Sequence, residues 1–164
     1  IHAGEAFGKE SIWQAIQICG AHRIGHATRL TEDIVFDKDG NVVALGPLAQ
    51  YILDKRVPLE ICLLSNVHTG AVDKLENHPF KKLYKLGYRV FLNTDDRLMS
   101  NTTLSQEYLI AATQFDINFD DIEKLNINAM KSSFLPHRDR LHYIYDIIKP
   151  GYQKIREKLL SLKV

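Results

Sequence analysis

Segments that predict strands and helices alternate along this chain from residue 1 to residue 92. Residues 10–21 carry apolar side chains at helical spacing, which predicts a helix. Residues 59–65 are almost continuously apolar, which is typical of a strand that is covered on both faces. Because strands that alternate with helices form right-handed βαβ units, this order predicts an α/β fold with a parallel sheet.

The other elements are predicted from the same periodicities and from the positions of proline and glycine. Further strands are expected at the first residues, at 23–27 and at 88–92, and further helices at 47–55, 79–86, 104–115, 119–134 and 140–162. Pro150 and Gly151 are expected to break or kink the last helix. Residues 33–46 contain a Lys-Asp-Gly-Asn turn between β-branched runs, which predicts a surface hairpin or loop.

Length, charge and cysteine content exclude several classes of protein. The 164 residues suit a single region, 1–164, and 21 basic against 20 acidic side chains give no general attraction to nucleic acid or membrane. No apolar run approaches the roughly 20 residues of a spanning helix. Cys19 and Cys62 form no CxxC pair, which favours a reducing, cytoplasmic location. Because the first residues include neither a Met nor a signal-peptide pattern, we expect the numbering to begin inside a larger protein.

Polar residues stand at the ends of the four strands predicted for the sheet. These ends carry the groups 2–5, 25–26, 65–66 and 95–96. In a (β/α)₈ barrel the carboxyl ends of the strands build the active site, and a complete barrel takes about 250 residues. Four strand–helix units would make at most half of such a barrel.

The residue types at these strand ends suggest a metal site with acid–base groups beside it. Imidazole and carboxylate groups are ligands that zinc accepts, so His2 and Asp95 would meet at one ion if their strands converge. Alternatively, His2 is a satisfied interior histidine and Asp95 an ordinary turn residue. Glu5 is a general-acid candidate, or else an acid in the first turn of the next helix. His26 would orient or deprotonate a water, or else be a buried structural imidazole.

Three further polar residues have two interpretations each. Glu60 lies between apolar residues of a strand, so its carboxylate would orient a ligand or catalytic imidazole, or else pair with a basic residue at the strand end. Ser65 and Asn66 would line the site or form a turn.

The sequence resembles the adenosine deaminase family at several successive positions. The matching segments are HAGE at 2–5, RIGH at 23–26, LSNVHTG at 64–70, LNTDD at 92–96 and NAMKSSF at 128–134. Together they extend over essentially the whole chain, in the family's order. The resemblance implies the C-terminal half of a TIM (β/α)₈ barrel, with four parallel strands followed by C-terminal helices.

The resemblance also implies an activity and a set of site residues. A zinc-dependent deaminase would convert adenosine and 2′-deoxyadenosine to inosine-type products and ammonia, with His2 and Asp95 as zinc ligands. Glu5 would give a proton to the purine N1, and His26 would act beside the attacking water as base or electrostatic stabiliser. Asp96 would hydrogen-bond the purine at N7. The substrate would be a free purine nucleoside.

The chain departs from the family pattern in ways that bear on function. Ala27 and Leu63 stand where the family has Gly and often Pro, which should alter packing more than chemistry. The family's His-x-His motif, which supplies two further zinc ligands, has no counterpart here, so this chain would hold half a metal site and be inactive alone. Alternatives are a deaminase of adenine or AMP, or an inert association module. We expect the open strand edges to be covered by the missing half-barrel or by self-association. Beside these edges, Ile61, Val90 and Leu92 are expected to face the barrel interior.

Overall fold

A four-stranded parallel sheet forms the centre of the computed structural model, which describes residues 1–162. The strands of the chain are β1 His2–Ala3, β2 Ile24–His26, β3 Ile34–Phe36, β4 Val42–Leu45, β5 Leu59–Ile61 and β6 Val90–Leu92. The sheet has the order β1-β2-β5-β6, and every neighbouring pair is parallel. β3 and β4 form a separate antiparallel hairpin, as the turn chemistry of residues 33–46 predicted. The predicted α/β class with four parallel strands is therefore confirmed.

Helices connect the strands and continue after β6. They are α1 Lys9–Gln17, α2 Pro47–Lys55, α3 Leu63–His68, α4 Phe80–Lys85, α5 Leu104–Phe115, α6 Phe119–Lys131, α7 His137–His142 and α8 Lys149–Ser161. Two 3₁₀ turns at Thr28–Asp33 and Leu75–Asn77 and a π-helical turn at Tyr143–Ile148 complete the backbone. Side chains cap α5 and α6, where Thr103 and Asn118 accept hydrogen bonds from first-turn amides. Within residues 1–162, no helix combines the length and low polarity that crossing a bilayer requires.

The expected strand over residues 59–65 is wrong in its second half, because β5 ends at Ile61 and α3 begins at Leu63. The fully buried Glu107 of α5 accepts a hydrogen bond of 2.8 Å from the Leu63 amide and one of 3.0 Å from the Thr102 hydroxyl. The Glu107 carboxylate therefore accepts the hydrogen bond of an amide in the first turn of α3, which has no partner within the helix. No local sequence pattern indicates this long-range contact.

The last helical region differs from its prediction in the position of the irregularity. The helix continues through Pro150 and Gly151, and the expected disruption takes the form of the π-helical turn just before them. There, the Lys149 amide bonds to the Ile144 carbonyl five residues back. Because Pro150 lies in the first turn of α8, its missing N–H is tolerated.

Three residues of β5 and β6 that were expected to face the barrel interior lie on the opposite face of the sheet, in the apolar core. Ile61, Val90 and Leu92 are at most 3% exposed and belong to the apolar core. The other face carries the register-matched row His2, Gly25, Glu60 and Phe91. Successive side chains of a strand point to opposite faces of the sheet. The expectation was wrong by one position along the strand, and such an error moves every side chain to the other face.

The outer edges of the sheet belong to β1 and β6. On β6, the Asn128 side chain of α6 donates a buried hydrogen bond of 3.0 Å to the Val90 carbonyl, which covers part of this edge. β1 pairs through its inner edge with β2, and Ile1 beside it is 55% exposed. An open strand edge with exposed apolar side chains promotes pairing with another chain.

When the 164-residue chain is expressed by itself, we expect it to self-associate through the β1 edge. Sedimentation velocity over a range of concentrations measures this. The matched control is Ile1→Lys, which puts a charge beside the same edge and should shift the chain towards monomer. A wild-type chain that stays monomeric throughout the range would contradict the prediction.

Candidate active site and metal centre

The backbone turns sharply where the sheet strands end. Gly4, His26, Ala27 and Asp95 have φ values of 66°, 73°, 51° and 55°, in the left-handed region. A Cβ at Gly4 would lie 2.5 Å from Ile12 Cδ1, so this position requires glycine for space as well as for φ. Left-handed non-glycine residues are uncommon and cluster at functional sites. The conformation of Ala27 explains why the family pattern has glycine there.

His26 lies at the centre of the residues that were predicted to form the site. Its side chain is 1% exposed, and its Nε2 atom lies 2.9 Å from His2 Nδ1 and 3.3 Å from Glu5 Oε2. The same Nε2 atom is 3.9 Å from Asp95 Oδ2. The carboxyl ends of β1, β2 and β6 therefore bring four predicted site residues together around one imidazole nitrogen.

The other side of His26 contacts the buried Asn66, which in turn contacts the buried His78. Asn66 Nδ2 lies 2.9 Å from His26 Nδ1, and Asn66 Oδ1 lies 3.1 Å from His78 Nε2. The Phe80 amide donates a hydrogen bond of 3.0 Å to His78 Nδ1. Asn66 thus contacts the site, as one of its two interpretations predicted. The sequence analysis missed His78. This residue is followed by Pro79, just before α4, and its local sequence is typical of a loop.

Burial and charge affect the pKa values of these two histidines. Burial lowers the pKa of His26 below its ordinary value, although the neighbouring carboxylates of Glu5 and Asp95 oppose the shift. Burial alone lowers the pKa of His78 to about 3. A pKa shifted in this direction favours the neutral imidazole, which carries one ring proton.

Glu5 occupies the loop between β1 and α1, so it is not in the first turn of the helix, where Glu10 lies instead. One carboxylate oxygen faces His26, and the other accepts a hydrogen bond of 3.0 Å from the Thr69 hydroxyl. This placement rules out the helix-dipole interpretation and leaves a carboxylate aimed into the site.

Asp95 and Asp96 are adjacent in sequence but have different contacts. Asp95 Oδ2 accepts a hydrogen bond of 2.7 Å from Ser65, which gives Ser65 a role in the site. Asp96 Oδ1 accepts from the amides of Leu98 and Met99 and lies on an exposed turn.

Glu60 follows the second of its two interpretations. Its carboxylate pairs with Arg23 Nε at 3.0 Å and accepts a hydrogen bond from Asn93. The Arg23 guanidinium also lies over the rings of Phe91 and Phe134, at 5.8 and 4.5 Å from their centroids. Glu60 therefore forms an ion pair on the face of the sheet that also carries His2 and Phe91.

A cavity of about 160 Å³ adjoins this cluster and is lined by residues that include His2, His26, Glu60 and Asp95. A larger cavity of about 600 Å³ lies elsewhere, beside Thr28 and Lys82, and contains none of the converging residues. Small-molecule sites usually enclose roughly 300–1,000 Å³. The cavity beside His26 is smaller than this range.

The donor atoms fit a divalent metal of the zinc type. His2, Glu5 and His26 each offer a ligand atom, and these atoms lie within 4.8 Å of one another. Asp95 approaches the same group from β6. Imidazole nitrogen and carboxylate oxygen form the donor set of catalytic zinc sites that keep one position open.

Comparison with known proteins identifies relatives of this chain. The family described as adenosine deaminase matches residues 1–150. Adenosine deaminase 1 from Streptomyces coelicolor is 49% identical over 160 residues, which are 98% of this chain and 40% of that protein. Among solved structures, adenine deaminase from Arthrobacter aurescens has a TM-score of 0.79 at 26% identity and covers 93% of this chain and 42% of its own. N6-methyl-AMP deaminase from Arabidopsis thaliana has a TM-score of 0.69 at 25% identity, over 93% of this chain and 40% of its own.

These matches extend over nearly all of this chain but over only about two fifths of each relative. The parallel sheet with its helices corresponds to part of the relatives' TIM-barrel fold. Both the matched length and the converging strand ends lead to the same conclusion: the chain belongs to the adenosine deaminase family.

Proposed function

We propose that the protein containing this chain deaminates adenosine and 2′-deoxyadenosine by hydrolysis, releasing ammonia and leaving a carbonyl at C6. The observation that carries this proposal is the convergence of His2, Glu5 and Asp95 on His26 Nε2. The identity of 49% with an adenosine deaminase supports the same reaction class. The reaction would take place in the cytoplasm, where the free cysteines Cys19 and Cys62 would stay reduced.

His2 and Asp95 would hold zinc together with ligands from outside this chain. When bound, zinc supplies Lewis acidity, which lowers the pKa of the water it holds to about 7. The donor set on β1 and β6 suits this ion, and the 2.7 Å hydrogen bond from Ser65 orients the Asp95 carboxylate.

Glu5 would act as the general acid, and His26 would act beside the attacking water. As the oxygen of water adds to C6, the ring nitrogen N1 gains electron density, and Glu5 would give it a proton. His26 Nε2 would face the developing charge near C6, and Asp96 would hydrogen-bond the purine at N7. As the water oxygen becomes the C6 carbonyl, its two protons would pass to the amino group and to Glu5, and the C6–N bond would break to release ammonia.

A deaminase of adenine or of an adenosine monophosphate is the second candidate, since the solved relatives include an adenine deaminase and an N6-methyl-AMP deaminase. The segments 65–70 and 93–102 resemble the nucleoside enzymes more closely, which favours adenosine. An inert association module is the candidate from another class, and it would bind no stoichiometric zinc.

We expect the full-length protein to have a kcat/KM for adenosine at least ten times that for adenine or AMP, because a site built for one substrate rejects analogues that leave its polar groups unpaired. The change in ultraviolet absorbance of each purine in a common buffer measures all three rates. Zinc content of the same preparation is the control for a loaded site. A preference for adenine or AMP would replace the adenosine assignment, and a protein without zinc or turnover would support the association module.

A further inference from the structure

We propose that His78 and Asn66 hold the His26 imidazole in the tautomer that has an unprotonated Nδ1 and carries its proton on Nε2. The two are positioning residues, since they act on the site through His26. The catalytic consequence rests on the proposed function, whereas the proton position itself does not.

The direction of each hydrogen bond follows from one backbone amide. The Phe80 N–H can only donate, so His78 Nδ1 accepts its hydrogen bond of 3.0 Å. The neutral His78 ring then has its proton on Nε2 and donates it to an oxygen. The Asn66 atom at 3.1 Å from His78 Nε2 is therefore Oδ1.

The orientation of Asn66 determines the tautomer of the next ring. With Oδ1 facing His78, the Asn66 NH₂ group faces His26 Nδ1 at 2.9 Å and donates to it. His26 Nδ1 is thus an acceptor, and the single ring proton resides on Nε2. His78, Asn66 and His26 are 4%, 0% and 1% exposed, so no solvent competes for these atoms.

This tautomer gives His26 a defined task at the site. Its Nε2–H points toward Glu5 Oε2 at 3.3 Å and His2 Nδ1 at 2.9 Å. A neutral ring with a proton on Nε2 donates a hydrogen bond there and has no lone pair to accept one. Of the two roles considered for His26, hydrogen-bond stabilisation of a developing oxyanion therefore fits, and proton abstraction at Nε2 does not.

Two substitutions of His78 separate this role from simple packing. Gln reaches as far as His Nε2, so His78→Gln retains a donor to Asn66 and loses the acceptor for Phe80. Asn reaches only as far as Nδ1, so His78→Asn retains the acceptor for Phe80 and loses the donor to Asn66. A third variant, Asn66→Asp, replaces the amide donor with an acceptor and should move the ring proton to Nδ1.

The test uses the full-length protein labelled with ¹⁵N-histidine, and the signals of His26 are identified by their loss in His26→Gln. We expect the wild-type spectrum to show a protonated Nε2 and an unprotonated Nδ1. His78→Gln should retain this pattern, with kcat within about twofold of wild type. His78→Asn should mix the tautomers and lower kcat about 10–100-fold with little change in KM. Asn66→Asp should protonate Nδ1.

The exposed His22 provides the matched control, because His22→Asn makes the same chemical change away from the site and should leave the spectrum of His26 and kcat unchanged. Thermal melting verifies that each variant is folded. A wild-type proton on Nδ1 would overturn the inference, as would equal losses of kcat in His78→Gln and His78→Asn. If the predicted proton positions are found but adenosine is not deaminated, the proposed function fails and the positioning role stands.

Discussion

In the full-length protein, Glu5→Gln is expected to lower kcat for adenosine about 10²–10⁴-fold with little change in KM. Glutamine has nearly the same shape and still accepts the hydrogen bond that Thr69 donates to Glu5 Oε1. Its amide has no acidic proton, so the ring nitrogen that gains electron density would stay unprotonated. A loss in kcat without a loss in substrate binding is the signature of an interaction made in the transition state.

Steady-state kinetics with adenosine measure this effect. Glu10→Gln is the matched control, since Glu10 is an exposed residue in the first turn of α1. That variant should retain full activity. A Glu5→Gln protein with more than a tenth of the wild-type kcat would remove Glu5 from the role of general acid.

Replacing Asp95 is expected to remove zinc and turnover together, because a change of ligand acts through the metal. Asp95 has a φ of 55°, which asparagine tolerates better than alanine. Asp95→Asn is therefore more informative than Asp95→Ala. It removes the carboxylate charge and should cause less backbone strain at this left-handed position. Both variants should have less than a tenth of the wild-type zinc content.

Metal content is measured by inductively coupled plasma mass spectrometry on dialysed protein, in parallel with the kcat for adenosine. Asp39→Ala, on the exposed turn between β3 and β4, is the control for removal of an aspartate and should retain both zinc and activity. Full zinc occupancy in Asp95→Asn would count against Asp95 as a ligand.

Much of the fold and site was accessible from the sequence because its signals are local. Periodicity and turn chemistry predicted the four parallel strands, the β3–β4 hairpin and the helices after β6. The ends of parallel strands lie at one edge of a sheet, so residues such as His2, His26 and Asp95 were expected to meet. The distances of 2.9 and 3.9 Å from His26 Nε2 to His2 and Asp95 agree with that expectation.

Other features depended on contacts between residues far apart in the chain. The amide at the start of α3 is satisfied by Glu107, 44 residues away, so a continuous apolar run became a short strand followed by a helix. Residues of β5 and β6 were assigned to the wrong face, since β6 is apolar at every position and the one polar side chain of β5, Glu60, had two open interpretations.

The chemical groups at the strand ends and their order follow from the sequence, because those residues belong to short segments with their own turn preferences. The orientation of these groups depends instead on long-range packing. The imidazole of His26 has two possible proton positions, and the choice depends on the 2.9 Å contact with Asn66, which itself depends on His78. Such a choice requires three buried side chains from separate parts of the chain to pack together, and no local sequence pattern specifies that arrangement.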